Sequence, residues 1–360
     1  MIVMEELSAY QDDALRRGRH NVDQFFASQG LDKAEFEKFV LERSDPSHRP
    51  FYVSTVARGL ASGTSDIDIM LVADGPLPEN HATSNMLFFQ QRRVGLKLLS
   101  GANIETTLDT LESATAYPTL QAVVLNARLT EDMPVRWVDL ERITNGVPFS
   151  DGESYHHRLA TLCGATAASR LKDYLFNALF LRLAVKAGLA ESAYAYGQLA
   201  LMAAMDVLMA SCGHVQSNMK WIFERWSRFA VDAKRPAVRE GVALLTALHE
   251  NLDAGALSKE PDQLTLFEAV NAYFERWIFP SDRLPAIRLT LAQGVRAHGF
   301  LPNATSLHLK DAAAVVGSAI VDHLQTAGTN ATNDFATPRD AATALTLLQH
   351  GFLYAAVEEA

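Results

Sequence analysis

The chain has 360 residues, 48% hydrophobic and 21% charged, with a formal net charge of −10. That is an ordinary globular composition, long enough for one large core or two adjoining domains. The acidic balance excludes a general attraction for nucleic-acid phosphates, so nucleic acid is not an expected partner. Two cysteines, Cys163 and Cys212, stand far apart without metal-ligand spacing, so neither a disulfide framework nor a zinc site is expected.

The opening residues carry no apolar signal core, and the most apolar stretch, 195–210, is short and contains Asp206. The expectation is a cytoplasmic protein with no membrane span. The apolar spacing predicts helices over 5–28 and 32–43, then a turn-rich break at 44–50. A short strand beginning at Phe51 runs into a Gly/Ser loop at 59–65, and DIDIMLV (66–72) reads as the next strand. Residues 84–99 look like an amphipathic helix capped by Ser84, and 103–111 alternate as a strand would. Segments 121–130 and 135–140 fit further β or short helical elements.

From about Tyr155 the pattern changes to long Ala- and Leu-rich helices over 155–188, 192–212, 216–232, 236–250, 262–278 and 306–325. A polar stretch at 326–337 reads as a loose connection. A last helix follows, with Thr337 as cap, Pro338 at its first position and Asp340 in its first turn; it docks on the body or joins a second subunit in a homodimer. The expected fold class is therefore α+β. A mixed-sheet half with flanking helices spans 1–150, a helical bundle 151–325, and a linker with a docking helix 326–360.

The chemistry centres on Ser65-Asp66-Ile67-Asp68. In a strand, Asp66 and Asp68 project from one face and Ile67 and Ile69 from the other. The carboxylates then lie roughly 7 Å apart. Like charges so close repel unless a cation sits between them, and Mg²⁺ suits one or two carboxylates plus substrate phosphates. Taken alone, a DxD pair is more often a turn residue and a solvated strand end.

Read together, VSTVARGLASGTSDIDIMLV (53–72) resembles the signature of the nucleotidyltransferase-fold superfamily, shared by DNA polymerase beta and aminoglycoside nucleotidyltransferases. Ser54-Thr55 stand at its Gly-Ser position, Arg58-Gly59 at its Arg-Gly, and Ser65 with Asp66 and Asp68 at its carboxylate pair. Serine replaces the usual glycine, which lets backbone approach phosphate and adopt open dihedrals. Ser54 and Thr55 can still offer N–H and hydroxyl groups to an anion.

The resemblance implies a third carboxylate on a neighbouring strand, as metal ligand or general base. Glu105 is the first candidate, with Asp109 and Asp139 as alternatives. It further implies a two-metal Mg²⁺ site at Asp66, Asp68 and Glu105. ATP or another NTP would be held by Ser54, Thr55, Arg58 and Ser65, and AMP transferred to a hydroxyl of a small acceptor, in antibiotic modification or specialised biosynthesis. In the helical half, Lys220 beside Trp221 is a candidate phosphate contact, though a solvated lysine beside a core tryptophan fits as well. Tyr155-His156-His157-Arg158 opens that half, its histidines either touching substrate or decorating a helix start. Two other functions fit the same residues: a nucleotide-binding partner protein without turnover, and a toxin-type enzyme modifying tRNA or protein.

Overall fold

The computed structural model describes residues 3–75, 77, 84–126, 133–217, 219–253, 262–280, 283–310, 312–326, 335 and 337–357. Helices α1 (Val3–Gln29) and α2 (Lys33–Leu41) come first, Asp32 capping the second by accepting the Glu35 N–H at 3.0 Å. Strand β1 (Arg49–Tyr52), the single helical turn α3 (Ser54–Ala57) and strand β2 (Ile67–Ala73) follow. Then come β3 (Ser84–Phe89), β4 (Arg92–Ser100), α4 (Gly101–Thr115), α5 (Leu120–Asn126), α6 (Trp137–Thr144) and β5 (Val147–Pro148).

The five strands make one mixed sheet in the order β3–β4–β2–β1–β5. Strand β2 runs antiparallel to β1 and parallel to β4, with Asp68 opposite Gly95 and Ala73 opposite Ser100. Period-two alternation along β2 sends Ile67, Ile69 and Leu71 into a core with α1 and α2, and Met70 and Val72 into another with α4, α6 and the helices beyond. Burying each isoleucine contributes about 1.5–3 kcal/mol.

After a 3₁₀ turn at Tyr155–Arg158, α7 (Leu159–Lys186) and α8 (Ala190–Ser211) pack along each other as the spine of the largest core. Helix α8 is long and apolar enough to cross a membrane by length and composition, but 67% of its apolar window is buried inside the molecule. Helices α9 (Ile222–Asp232), α10 (Pro236–Asp253) and α11 (Asp262–Tyr273) complete this part, α11 ending in a π turn at Phe274–Ile278. Then come β6 (Ile287–Leu291), β7 (Arg296–Leu301), β8 (Ala304–Leu309), β9 (Ala312–Gly317), α12 (Ser318–Thr326), α13 (Pro338–Gln349) and β10 (Leu353–Val357). The fold is α+β. Helix α13 docks on α7, capped by Thr337, whose hydroxyl accepts the Asp340 N–H at 3.2 Å. Of the stretch 326–337, only Thr326, Phe335 and Thr337 fall among the described residues.

Three expectations are corrected. Residues 84–99 are a hairpin, not a helix: β3 and β4 are joined at Gln90 and Gln91, both with positive φ (45° and 67°). Paired left-handed residues give the hairpin turn whose usual signal is Asn-Gly, absent here. Segment 103–111 lies in helix α4, whose N-cap Ser100 accepts the Asn103 N–H at 3.4 Å. Residues 306–309 and 312–317 belong to the three-stranded sheet β7–β8–β9, with left-handed Lys310 (φ 50°) following β8, and only 318–326 are helical.

Candidate functional site

The loop from Gly59 to Ser65 delivers the chain to the start of β2, closed by the Ser62 N–H donating to the Ser65 hydroxyl at 2.8 Å. Ser65 therefore shapes the approach to the acidic pair. The Val53 N–H donates to the Asp68 carbonyl at 3.1 Å, which brings Ser54 and Thr55 beside that pair. Ser54 has φ +61°, in the left-handed region that serine rarely adopts. The serine thus takes up the open dihedral for which the resembled signature uses glycine.

Asp66 immediately precedes β2 and Asp68 lies within it; both carboxylates reach the side of β4 that carries Arg93 and Gly95. A Cβ added to Gly95 would lie 3.0 Å from Asp68 Oδ1, so the carboxylate lies over the glycine. On β4 the same face carries Arg93, Gly95 and Lys97 in turn. Arg93 lies 3.7 Å from Asp66, both side chains about half exposed. Lys97 donates to Asp139 Oδ2 at 2.6 Å, and Arg136 donates to the same oxygen at 2.9 Å. Asp139 is 2% exposed, and its other oxygen is buried without a partner.

Glu105 does not join the pair. It sits on α4, beyond the far end of β4, and Gly95 and Ser100 are separated by roughly 17 Å of strand. Its carboxylate accepts from Arg158 at 3.1 Å, and Arg158 also clasps Asp109 at 2.6 Å and Glu112 at 3.3 Å. A spacing of four is a multiple of the strand period and close to one helical turn, so the shared parity of 105 and 109 suited both readings. The sheet strands flanking β2 present Arg93 and Lys97 in place of a third acid. Among the described residues no cluster of three His, Cys, Asp or Glu side chains is placed to hold a metal. Two aspartates still suit a single magnesium ion that takes its remaining ligands from substrate phosphates and water.

Arg58 points elsewhere. Its guanidinium donates to Asn145 Oδ1 at 2.8 Å and lies 3.5 Å from Glu141, itself 4% exposed. Glu141 also accepts the Ser217 hydroxyl at 3.1 Å. Lys220 is exposed, its ammonium 5.2 Å from the Trp221 ring centre; Asn218, in the same stretch, lies outside the described residues. His156 is buried, whereas His157 is exposed and bonded to the Ser154 carbonyl at 3.0 Å. Sequence reasoning passed over Arg225, which donates to Asp206 Oδ1 at 3.0 Å and to the His214 carbonyl at 3.0 Å. Asp206, set among apolar neighbours in the second half of α8, was the available signal, since a buried carboxylate requires a partner.

Residues 8–357 match the model of a family of unknown function (DUF6001). No curated protein matches the chain. Among solved structures, a nucleotidyltransferase-like protein from Exiguobacterium sibiricum 255-15 is 13% identical over 73% of this chain and 94% of its own. Its TM-score of 0.25 is too low to bear on fold or chemistry.

Proposed function

We infer that this chain, which belongs to the family of unknown function DUF6001, binds a nucleoside triphosphate with magnesium at the Asp66–Asp68 face. The reaction we assign to that face is transfer of a nucleotidyl group, AMP from ATP, to a hydroxyl of a small acceptor in antibiotic modification or specialised biosynthesis. One observation carries the reading: left-handed Ser54 follows the Val53 N–H that bonds the Asp68 carbonyl, which sets it next to Asp68 on β2 and Asp66 just before that strand. Magnesium at such a pair supplies neutralisation of the triphosphate. Asp66 and Asp68 hold the ion. The N–H groups of Ser54 and Thr55, at the start of a helical turn, lack partners within that turn and suit phosphate oxygens. Arg93 and Lys97 add positive charge on the adjacent strand.

A second reading, nucleotide binding without turnover, is favoured by a specific observation. The acids that would take the acceptor's proton are engaged: Glu105 by Arg158, and Asp139 by Lys97 and Arg136. Two measurements separate the readings. Calorimetry with ATP and Mg²⁺ should show saturable binding that weakens at least tenfold in Asp68→Asn. Pyrophosphate release over a panel of NTPs and hydroxylated acceptors should then appear in the native chain and vanish in that variant. Binding without release selects the second reading, and loss of both overturns the site. Labelled AMP found on tRNA or protein would redirect the acceptor to a macromolecule.

A further inference from the structure

A cavity of about 290 Å³ opens where α1, α3 and α9 meet the segment after α8. Arg17, Arg58, Arg225 and Arg228 line it, and Asp232 is the lone acid among its lining residues. None of Ser54, Thr55, Asp66 or Asp68 reaches it. Each guanidinium has an acidic partner outside the lining: Asp13 for Arg17, Glu141 for Arg58, Asp206 for Arg225 and Glu224 for Arg228. Arg58, Arg225 and Arg228 also donate to Asn145 Oδ1, the His214 carbonyl and the Gly59 carbonyl, so each is oriented by two partners, and those four carboxylates lie outside the cavity lining.

Two neutral side chains in the wall point the same way. His156 is 6% exposed with Nδ1 buried and unpartnered, and Gln216 is 7% exposed with Oε1 buried and unpartnered. Buried polar atoms left without partners are costly, and each of these two cavity-lining residues carries one that a shift of its side chain would bring to a ligand. Burial, reinforced by the charge on Arg58, holds the His156 imidazole down to about 4. His214, also in the wall, falls to about 3 through burial and the charges of Arg58, Arg17 and Arg225. Both rings are therefore neutral at pH 7, which leaves the four guanidiniums as the cationic groups of the wall.

We propose that this cavity is a second, metal-independent binding site for a small phosphorylated polyol. Planar guanidinium forks match phosphate oxygens bidentately. Gln216 offers an acceptor for a ligand hydroxyl, and neutral His156 either donates or accepts. The site does not depend on the nucleotide reading, and each stands if the other fails.

Calorimetry at pH 7.5 with EDTA present tests it, using ribose 5-phosphate, inorganic phosphate and ribose as probes. Ribose 5-phosphate should bind saturably, at least tenfold tighter than inorganic phosphate, while ribose should not bind. Arg17→Gln and Gln216→Leu, each checked for an unchanged Tm, should raise the ribose 5-phosphate Kd at least tenfold. Asp68→Asn should leave it within twofold of the native value. Absence of saturable binding, equal affinity in both cavity variants, or a requirement for magnesium would overturn the site. Equal affinity for phosphate and ribose 5-phosphate would overturn the polyol assignment.

Discussion

Asp66 and Asp68 stand two residues apart at the start of β2, both partly exposed, with Arg93 as a surface counter-charge to Asp66. The charged groups around the arginine-lined cavity come from positions as distant as Arg17 and Arg228; Arg225 and the partner acids Asp206 and Glu141 are nearly inaccessible, while Arg17 and Arg228 are about half exposed. The first arrangement rests on strand parity alone and needs little from the rest of the fold. The second exists only once α1, α3, α8 and α9 have packed, and its desolvated ions depend on each other. Exposed pairs contribute about 0–1 kcal/mol, whereas removing one partner of a buried pair leaves an uncompensated charge in a poorly solvating interior.

The contrast breaks first at Asp206, which is 1% exposed and lies 3.0 Å from Arg225 and 3.3 Å from Arg170. Asp206→Ala should cost about 3–5 kcal/mol in urea unfolding, because two guanidiniums lose their buried counter-charge. The double variant Asp206→Leu, Arg225→Met should be less destabilised than Asp206→Ala. Asp66→Asn should stay within about 0.5 kcal/mol of the native chain. Equal losses at Asp66 and Asp206 would show that the acidic face is not the surface feature described.

The same contrast governs what was legible beforehand. The strand at 66–72, the chain's long helices from 155 to 278 and the cap at Thr337 follow from apolar period and capping chemistry, and they stand in the structure. The hairpin at Gln90-Gln91 and the turn at Lys310 were hidden because left-handed backbone sits on residues that do not advertise it. Helix α4 was hidden because its acidic stripe Glu105, Asp109 and Glu112, gathered by Arg158, also satisfies strand alternation over its first two members. The cavity had no local signature at all: its lining joins residues more than 200 positions apart, brought together only by packing. Asp206 alone hinted at buried charge.

Acid should sharpen the comparison next. His156 titrates near 6.5 in the unfolded chain but is held to about 4 in the fold, first by burial and then by Arg58. Between those values the unfolded state binds the extra proton, so stability is full above pH 6.5 and falls as pH drops towards 4. By pH 5 the loss from this histidine is about 2 kcal/mol. It is read as the difference between urea-derived stabilities of the native chain and His156→Gln at pH 7.5 and pH 5. His214 shifts in the same direction and remains in both proteins, so it cancels. A flat difference would mean that the His156 ring is charged in the folded state.

The smallest effect concerns the acidic face, where strain rather than burial is the relevant cost. Ser54 holds φ +61°, and a left-handed residue with a Cβ costs about 1–2 kcal/mol against glycine. Glycine gives back part of that gain through the greater freedom of the unfolded chain, about 0.4–1 kcal/mol. Ser54→Gly should therefore stabilise the protein by roughly 0.5–1 kcal/mol, measured by urea unfolding. The substitution removes the hydroxyl but keeps the N–H, so magnesium-dependent ATP binding should persist if backbone donors hold the phosphates. A stabilised variant that no longer binds ATP would assign the phosphate contact to the serine hydroxyl. A destabilised variant would show that the Ser54 side chain, rather than the Val53–Asp68 hydrogen bond, holds the turn in its open conformation.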